Sequence, residues 1–196
     1  MSSLIEMLAG QLDEGTIRQI SGQLGADEGT TQQAISAALP MLLGAMERNA
    51  ASPDGAQALD NALARGHDGS ILNDIPAALS QQSTLLDGAA ILGHVLGGRQ
   101  RNVETGISKA TGLNQNSTAQ LLMMLAPLVL GALGKQKQQQ GLGSGDLAEV
   151  LGQERQSSES SLGGLAQILD MDGDGDVTDE IISIGSKLLR NFFSQR

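Results

Sequence analysis

The sequence predicts an all-α protein, and three observations carry that prediction. The only aromatic residues are Phe192 and Phe193, with no Trp or Tyr. The core must therefore be built from Leu, Ile, Val, Met and Ala, which suits closely packed helices better than a sheet. Apolar residues recur at helical spacing along most of the chain. Finally, many of the 26 glycines fall where helices should stop, as at Gly25, Gly66, Gly98 and Gly112.

The elements follow in order. Ser3-x-x-Glu6 is a capping-box pattern around Ile5, Leu8 and Leu12. A second short helix from about Glu14 ends at the Leu24-Gly25 stop. A longer helix from about Gly29 to Ala50 carries Ile35, Leu39, Leu42, Leu43 and Met46 as its apolar stripe and Pro40 as a kink. Shorter helices are predicted over Pro53 to Arg65, Ser70 to Leu79, Thr84 to Leu96 and Arg101 to Ala110. A further helix spans about Ser117 to Gly134 and contains the run Leu121 to Leu133, apolar all round. At about 1.5 Å per residue that run covers about 20 Å, short of the roughly 30 Å hydrocarbon core. A central buried helix is expected, with no membrane span.

An internal repeat is visible at an offset of 87 residues: Ile20 aligns with Ile107, Gly25 with Gly112, Thr30-Thr31 with Ser117-Thr118, Pro40 with Pro127, and Gly44-Ala45 with Gly131-Ala132. A short helix, a Gly stop, a Thr/Ser N-cap and a proline-containing apolar helix thus occur twice. Two copies imply pseudo-twofold packing of the two proline helices, with each Gly-Ala pair permitting close approach. The expected organisation is a helical body over 1–134, with repeats at about 16–50 and 103–134. Flexible linkers with a short helix follow over 135–161, where Gly, Ser and Gln dominate without hydrophobic period. A helix-loop-helix occupies 162–196.

The most specific chemistry lies in that last segment. Asp170, Asp172, Asp174 and Asp176 alternate around Gly175 and are followed by Val177, and Asp179 and Glu180 add two more acids with no basic residue between 170 and 180. Carboxylates on alternate residues of a short loop turn toward a common centre, which suits Ca2+ with its six to eight oxygen ligands. In an EF-hand register Asp170, Asp172 and Asp174 supply side chains, Gly175 the sharp turn and Asp176 a carbonyl. The twelfth position is Ile181, which cannot ligate, so Asp179, Glu180 or water completes the shell. The segments before and after carry Leu162, Leu165, Ile168 and Leu169, then Ile181, Ile182, Leu188, Leu189, Phe192 and Phe193, at helical spacings.

Leu39-Pro40-Met41-Leu42-Leu43-Gly44-Ala45, the stretch Asp87-Gly88-Ala89-Ala90-Ile91-Leu92-Gly93-His94-Val95-Leu96-Gly97-Gly98, the run Leu125-Ala126-Pro127-Leu128-Val129-Leu130-Gly131 and the acidic tail from Leu169 to Val177 together resemble a bacterial domain-of-unknown-function family related to the YidB-like proteins. The resemblance extends over nearly the whole chain. It implies an all-α cytoplasmic bacterial protein and no established activity.

Composition narrows the remaining classes. A net charge of −10 and a pI near 4.5 disfavour binding to a phosphate backbone, so no nucleic acid is expected. The absence of cysteine removes disulfide and thiolate chemistry and fits a reducing compartment. Met1 to Glu6 lacks the basic region of a signal peptide. Of the two histidines, His94 lies on the Ala89, Gly93, Gly97 stripe and reads as a packing or hydrogen-bonded residue, while His67-Asp68-Gly69 reads as a turn. Gly131 to Gln136 lacks P-loop spacing. The expected function is a non-enzymatic calcium-binding structural or self-assembling protein, a homo-oligomer in the cytoplasm. The alternative is a calcium-responsive adaptor that binds a partner protein through a Leu/Met-rich groove.

Overall fold

The structure is a computed structural model that describes residues 4–162. Among those residues there are nine α-helices and two short 3-10 turns and no strand. The all-α expectation holds. In chain order the helices are α1 (Leu4–Gln11), α2 (Glu14–Leu24), α3 (Glu28–Ala50), α4 (Pro53–Arg65), α5 (Ile75–Leu79), α6 (Gln82–Val95), α7 (Gln100–Thr111), α8 (Gln115–Gln140) and α9 (Ser144–Leu162). Ser70–Asn73 and Gly97–Arg99 form the 3-10 turns.

The repeat is present at atomic detail. Gly25 and Gly112 end α2 and α7 in the left-handed region, at φ of 63° and 78°, and their N–H groups donate to the carbonyls of Ser21 and Ser108. Only glycine adopts that conformation without strain, which is why both stops are legible. The caps that follow are also equivalent but sit three residues earlier than expected. Asp27 accepts from the Thr30 N–H at 2.8 Å, and Asn114 accepts from the Ser117 N–H at 2.9 Å. Thr31 and Thr118 then donate their hydroxyls back to the carbonyls of Asp27 and Asn114. Thr30 and Ser117 are thus third-position donors, and Asp27 and Asn114 are the N-caps.

The two proline helices pack on each other, and each also packs on the short helix of the opposite repeat, α3 on α7 and α8 on α2. A pseudo-twofold relation gives this crossed pattern. One hydrogen bond crosses between repeats inside the core, from the Ser117 hydroxyl to the Leu24 carbonyl at 2.8 Å. Equivalent positions of the repeat differ in size: Ala34, Ala38 and Leu39 in α3 correspond to Leu121, Leu125 and Ala126 in α8, all buried. Pro127 is buried and Pro40 partly exposed.

Helix α8 is the axis of the body. At 26 residues it runs well past Gly134 and is long and apolar enough to cross a bilayer, yet 83% of its apolar window is buried by the other helices. Burial, and not the shortness inferred from the sequence, is what places this helix inside the body. Two elements approach it closely at glycines. On α6, Gly88 lies against the Met123 carbonyl, where a Cβ would collide. Pro127 is the reason that carbonyl is there to be met: it has no N–H to donate to residue 123, four positions back. One turn further on, the loop carrying His67 to Leu72 crosses α8 at Gly131, against Ile71, and at Gly134, against the His67 carbonyl. Gly131 therefore admits this loop and not α3.

The other stripe on α6 is not a contact. Ala89, Gly93 and Gly97 are exposed, and nothing lies within 4 Å of a Cβ built at Gly93 or Gly97. His94 on that stripe is exposed too, and its backbone carbonyl, not its ring, takes the hydrogen bond from Asn49 Nδ2 at 2.9 Å.

Two segments expected as linkers are helical. Helix α8 continues through the Lys/Gln stretch to Gln140, where Lys137 pairs with Asp60 of α4 at 2.6 Å. It stops at Gly141, φ 66°, and α9 begins at Ser144. Gln and Lys are good helix formers even without hydrophobic period. Leu147 and Leu151, one turn apart on α9, are fully buried, and α9 packs along α3 and α4. The helix expected over Ser70 to Leu79 is likewise two pieces, because Asp74 caps a new helix by accepting from the Ala77 N–H at 3.0 Å.

The two glycine classes on α6 give opposite expectations. Gly88→Ala should lower stability by about 2 kcal/mol or more through overpacking against Met123. Gly93→Ala, in open space on an exposed helical face, should raise it by about 0.5–1 kcal/mol. Urea unfolding of both variants, read as a shift in midpoint at constant slope, checks the contrast.

Candidate functional site

Asp170, Asp172, Asp174, Asp176, Asp179 and Glu180, the residues expected to hold calcium, lie outside the described residues, as does Ser3 of the capping box. What the structure does place is the helix that leads toward them. Besides Leu147 and Leu151, α9 carries Glu154, only 7% exposed, whose carboxylate accepts the backbone N–H groups of Leu4 and Ile5 at the start of α1. The N-terminal amides of a helix have no intrahelical acceptor. A carboxylate from a helix some 150 residues away in sequence closes them here, tying the chain's start to the segment before the acidic loop. Burial pushes the Glu154 carboxyl above its ordinary value, its hydrogen bonds to Leu4 and Ile5 pull it back down in part, and the charge of Glu6 adds to the upward push. Glu47 of α3 approaches α9 at Gly152.

Sequence reasoning missed one polar constellation. The His67 ring lies between the Ala62 carbonyl, 3.2 Å from Nδ1, and the Asp87 carboxylate, 2.8 Å from Nε2. Both nitrogens face acceptors, and the constellation is a clasp between α4 and α6. Next to it, Asp68 accepts from the Ser70 N–H at 2.9 Å. No local sequence signal joins residues 67 and 87, which meet only because the loop and α6 both lie on α8. Among the described residues, no group of three or more His, Asp or Glu side chains is arranged to hold a metal.

Fold and site together define a helical-repeat body with α9 docked on it. The chain belongs to the family described as bacterial protein of unknown function (DUF937), whose model matches residues 6–136. That stretch holds both repeats and α6 and stops within α8, short of α9 and of the acidic loop. No curated protein and no solved structure matches the chain.

The caps and the docked carboxylate titrate in opposite senses. Asp13, Asp27 and Asp68 are held below 3.8, chiefly by hydrogen bonds from Thr16, Thr30 and Ser70. Their stabilisation is present above 3.8 and is lost as pH falls through the depressed folded values. Glu154 is raised above 4.5, so its contribution is most favourable below 4.5 and declines as pH rises through the folded value. Melting temperature should therefore fall steeply on acidification below 3.8 and more gently as pH rises above 4.5. Asp27→Asn, which copies the cap Asn114, should blunt the acid limb alone, and Glu154→Gln the other. Thermal melts of the three proteins across that range check both signs.

Proposed function

We propose that this protein is a non-enzymatic, calcium-binding helical protein that serves as a structural or self-assembling module in the bacterial cytoplasm, within a family related to the YidB-like group. The observation that carries the reading is the alternation of Asp170, Asp172 and Asp174 ahead of Gly175 and Val177. Side chains of Asp170, Asp172 and Asp174, the carbonyl of Asp176 and an acid from Asp179 or Glu180 would form the first shell of an EF-hand-like site. Support comes from α9: a helix anchored on the body through Leu147, Leu151 and Glu154 ends at Leu162, eight residues before Asp170 in the sequence. A partner-binding adaptor is the second reading. It would require the body to open, since Met46, Met124, Leu121 and Leu125 are buried.

Self-association is proposed through α6. Leu86 is 66% exposed, and Ala89, Ala90 and Gly93 extend the same exposed face. Small residues there would let a second helix approach closely.

Calcium should raise the melting temperature of the parent protein, and Asp172→Ala should abolish that rise while leaving the melting temperature in chelator unchanged. Calorimetry with no calcium-dependent shift in the parent removes the ion from the proposal. Light scattering at micromolar concentration should show an oligomer that Leu86→Glu dissociates. A strict monomer with and without calcium overturns self-assembly.

A further inference from the structure

Among the described residues Leu86 is the one large hydrophobic side chain left exposed. A leucine flanked by alanine and glycine covers far less than the roughly 800 Å² per partner of a stable interface. A second copy therefore needs a larger apolar contact than the α6 face supplies. Helix α9 already makes such a contact on the body.

That helix rests on α3, α4 and α1, and not on α8, which precedes it in the chain. Leu147 and Leu151 are fully buried there, and the Glu154 carboxylate accepts the N–H groups of Leu4 and Ile5. These contacts all reach segments that precede Gly66, so chain continuity plays no part in them. The connection back to α8 is three residues, Gly141, Leu142 and Gly143. It is held by local hydrogen bonds, from the Leu142 N–H to the Lys137 carbonyl at 3.1 Å and from the Gly143 N–H to the Asp146 carboxylate at 2.9 Å. Gly141 takes its φ of 66° in open space. Two glycines let this hinge straighten without steric cost, and straightening carries α9 away from its own body.

We propose that the face formed by α1, α3 and α4 is the binding surface for α9 of a second copy of this chain, so that two chains exchange α9 reciprocally about a twofold axis. The inference rests on the self-assembly reading and not on the α6 contact. Exchange reproduces between chains each contact that α9 makes within one, burying Leu147 and Leu151 and closing the α1 amides on both copies. The balance between the two forms is set by the hinge and by the concentration of chains. Folding back draws on the roughly millimolar effective concentration that a short connector gives, and a hinge of three residues restricts that reversal.

Light scattering of the full-length protein at micromolar concentration separates exchange from the α6 contact. Leu86→Glu should reduce the assembly to two chains and no further, and Leu151→Asp added to it should give one. Should Leu151→Asp fail to fold, Leu151→Ala, which loses less packing, should weaken the dimer about tenfold or more. The chain has no cysteine, so an introduced pair of thiols reports the connectivity directly. Glu47→Cys with Gly152→Cys uses positions where Glu47 Oε1 stands 3.5 Å from the Cβ that Gly152 lacks. Joined by a short bis-maleimide, that pair should run as a covalent dimer under denaturing conditions. A parent oligomer that Leu86→Glu reduces to monomers, a dimer that survives Leu151→Asp, or cross-linked product at monomer mass alone overturns exchange and leaves self-assembly standing. A parent that is itself monomeric overturns both.

Discussion

The fold turns on one contact, Gly88 of α6 against the carbonyl of Met123 in α8. A proline within a helix normally leaves a carbonyl without its intrahelical donor and adds a steric obstacle, a liability of about 3 kcal/mol when exposed helices are compared. Here the freed carbonyl faces Gly88 on α6, which has no Cβ, and the Cα hydrogen of Gly88 occupies the space a methyl would fill. Such Cα–H contacts to carbonyls contribute modestly, about 0.5–1 kcal/mol. Their larger effect is geometric: α6 can lie close enough for Ile91 and Leu92 to reach the core beside α8. Once α6 is seated, Asp87 stands where the His67 ring can meet it, and the loop that supplies His67 fills the second notch at Gly131 and Gly134.

With few aromatic residues, the core depends on this close backbone approach more than on large side chains. Leucine and alanine give well-defined packing at short interhelical distance, and the fully buried residues Leu42, Leu43, Leu63, Leu79, Leu92, Leu121 and Leu122 come from α3, α4, α5, α6 and α8. Sequence-distant polar bonds then set the register. Ser117 to Leu24, His67 to Asp87 and Lys137 to Asp60 each join two elements that are not neighbours in the chain.

Much of this was legible in the residues. Gly25 and Gly112 announce helix ends because a left-handed stop nearly requires glycine, and the prolines announce the repeat. The cap position is not decided by composition, because Asp27 and Thr30 are both good cap residues, and the structure selects Asp27. The stripe Ala89, Gly93, Gly97 and the single Gly88 are equally plausible contact faces by spacing, and only the position of Met123 distinguishes them. The polar stretch after Gly134 shows no hydrophobic period in its glutamines, and the signal for a docked helix there is the pair Leu147 and Leu151 one turn apart. At the acidic loop the sequence offers residue types and spacing, and which acid completes a shell at Asp179 or Glu180 is a matter of backbone path that spacing does not encode.

The unequal side-chain sizes at equivalent positions of the two proline helices have a consequence for how such a repeat could have arisen and what it has since become. A chain assembled from two copies of the first half would replace Leu121 and Leu125 by alanines and leave voids in the buried centre, whereas two copies of the second half would force leucines into the sites of Ala34 and Ala38, which have no exposed surface. Each half therefore carries side-chain sizes suited to its own site. A symmetric pairing of two identical halves would meet these voids and clashes, so the two halves are not interchangeable.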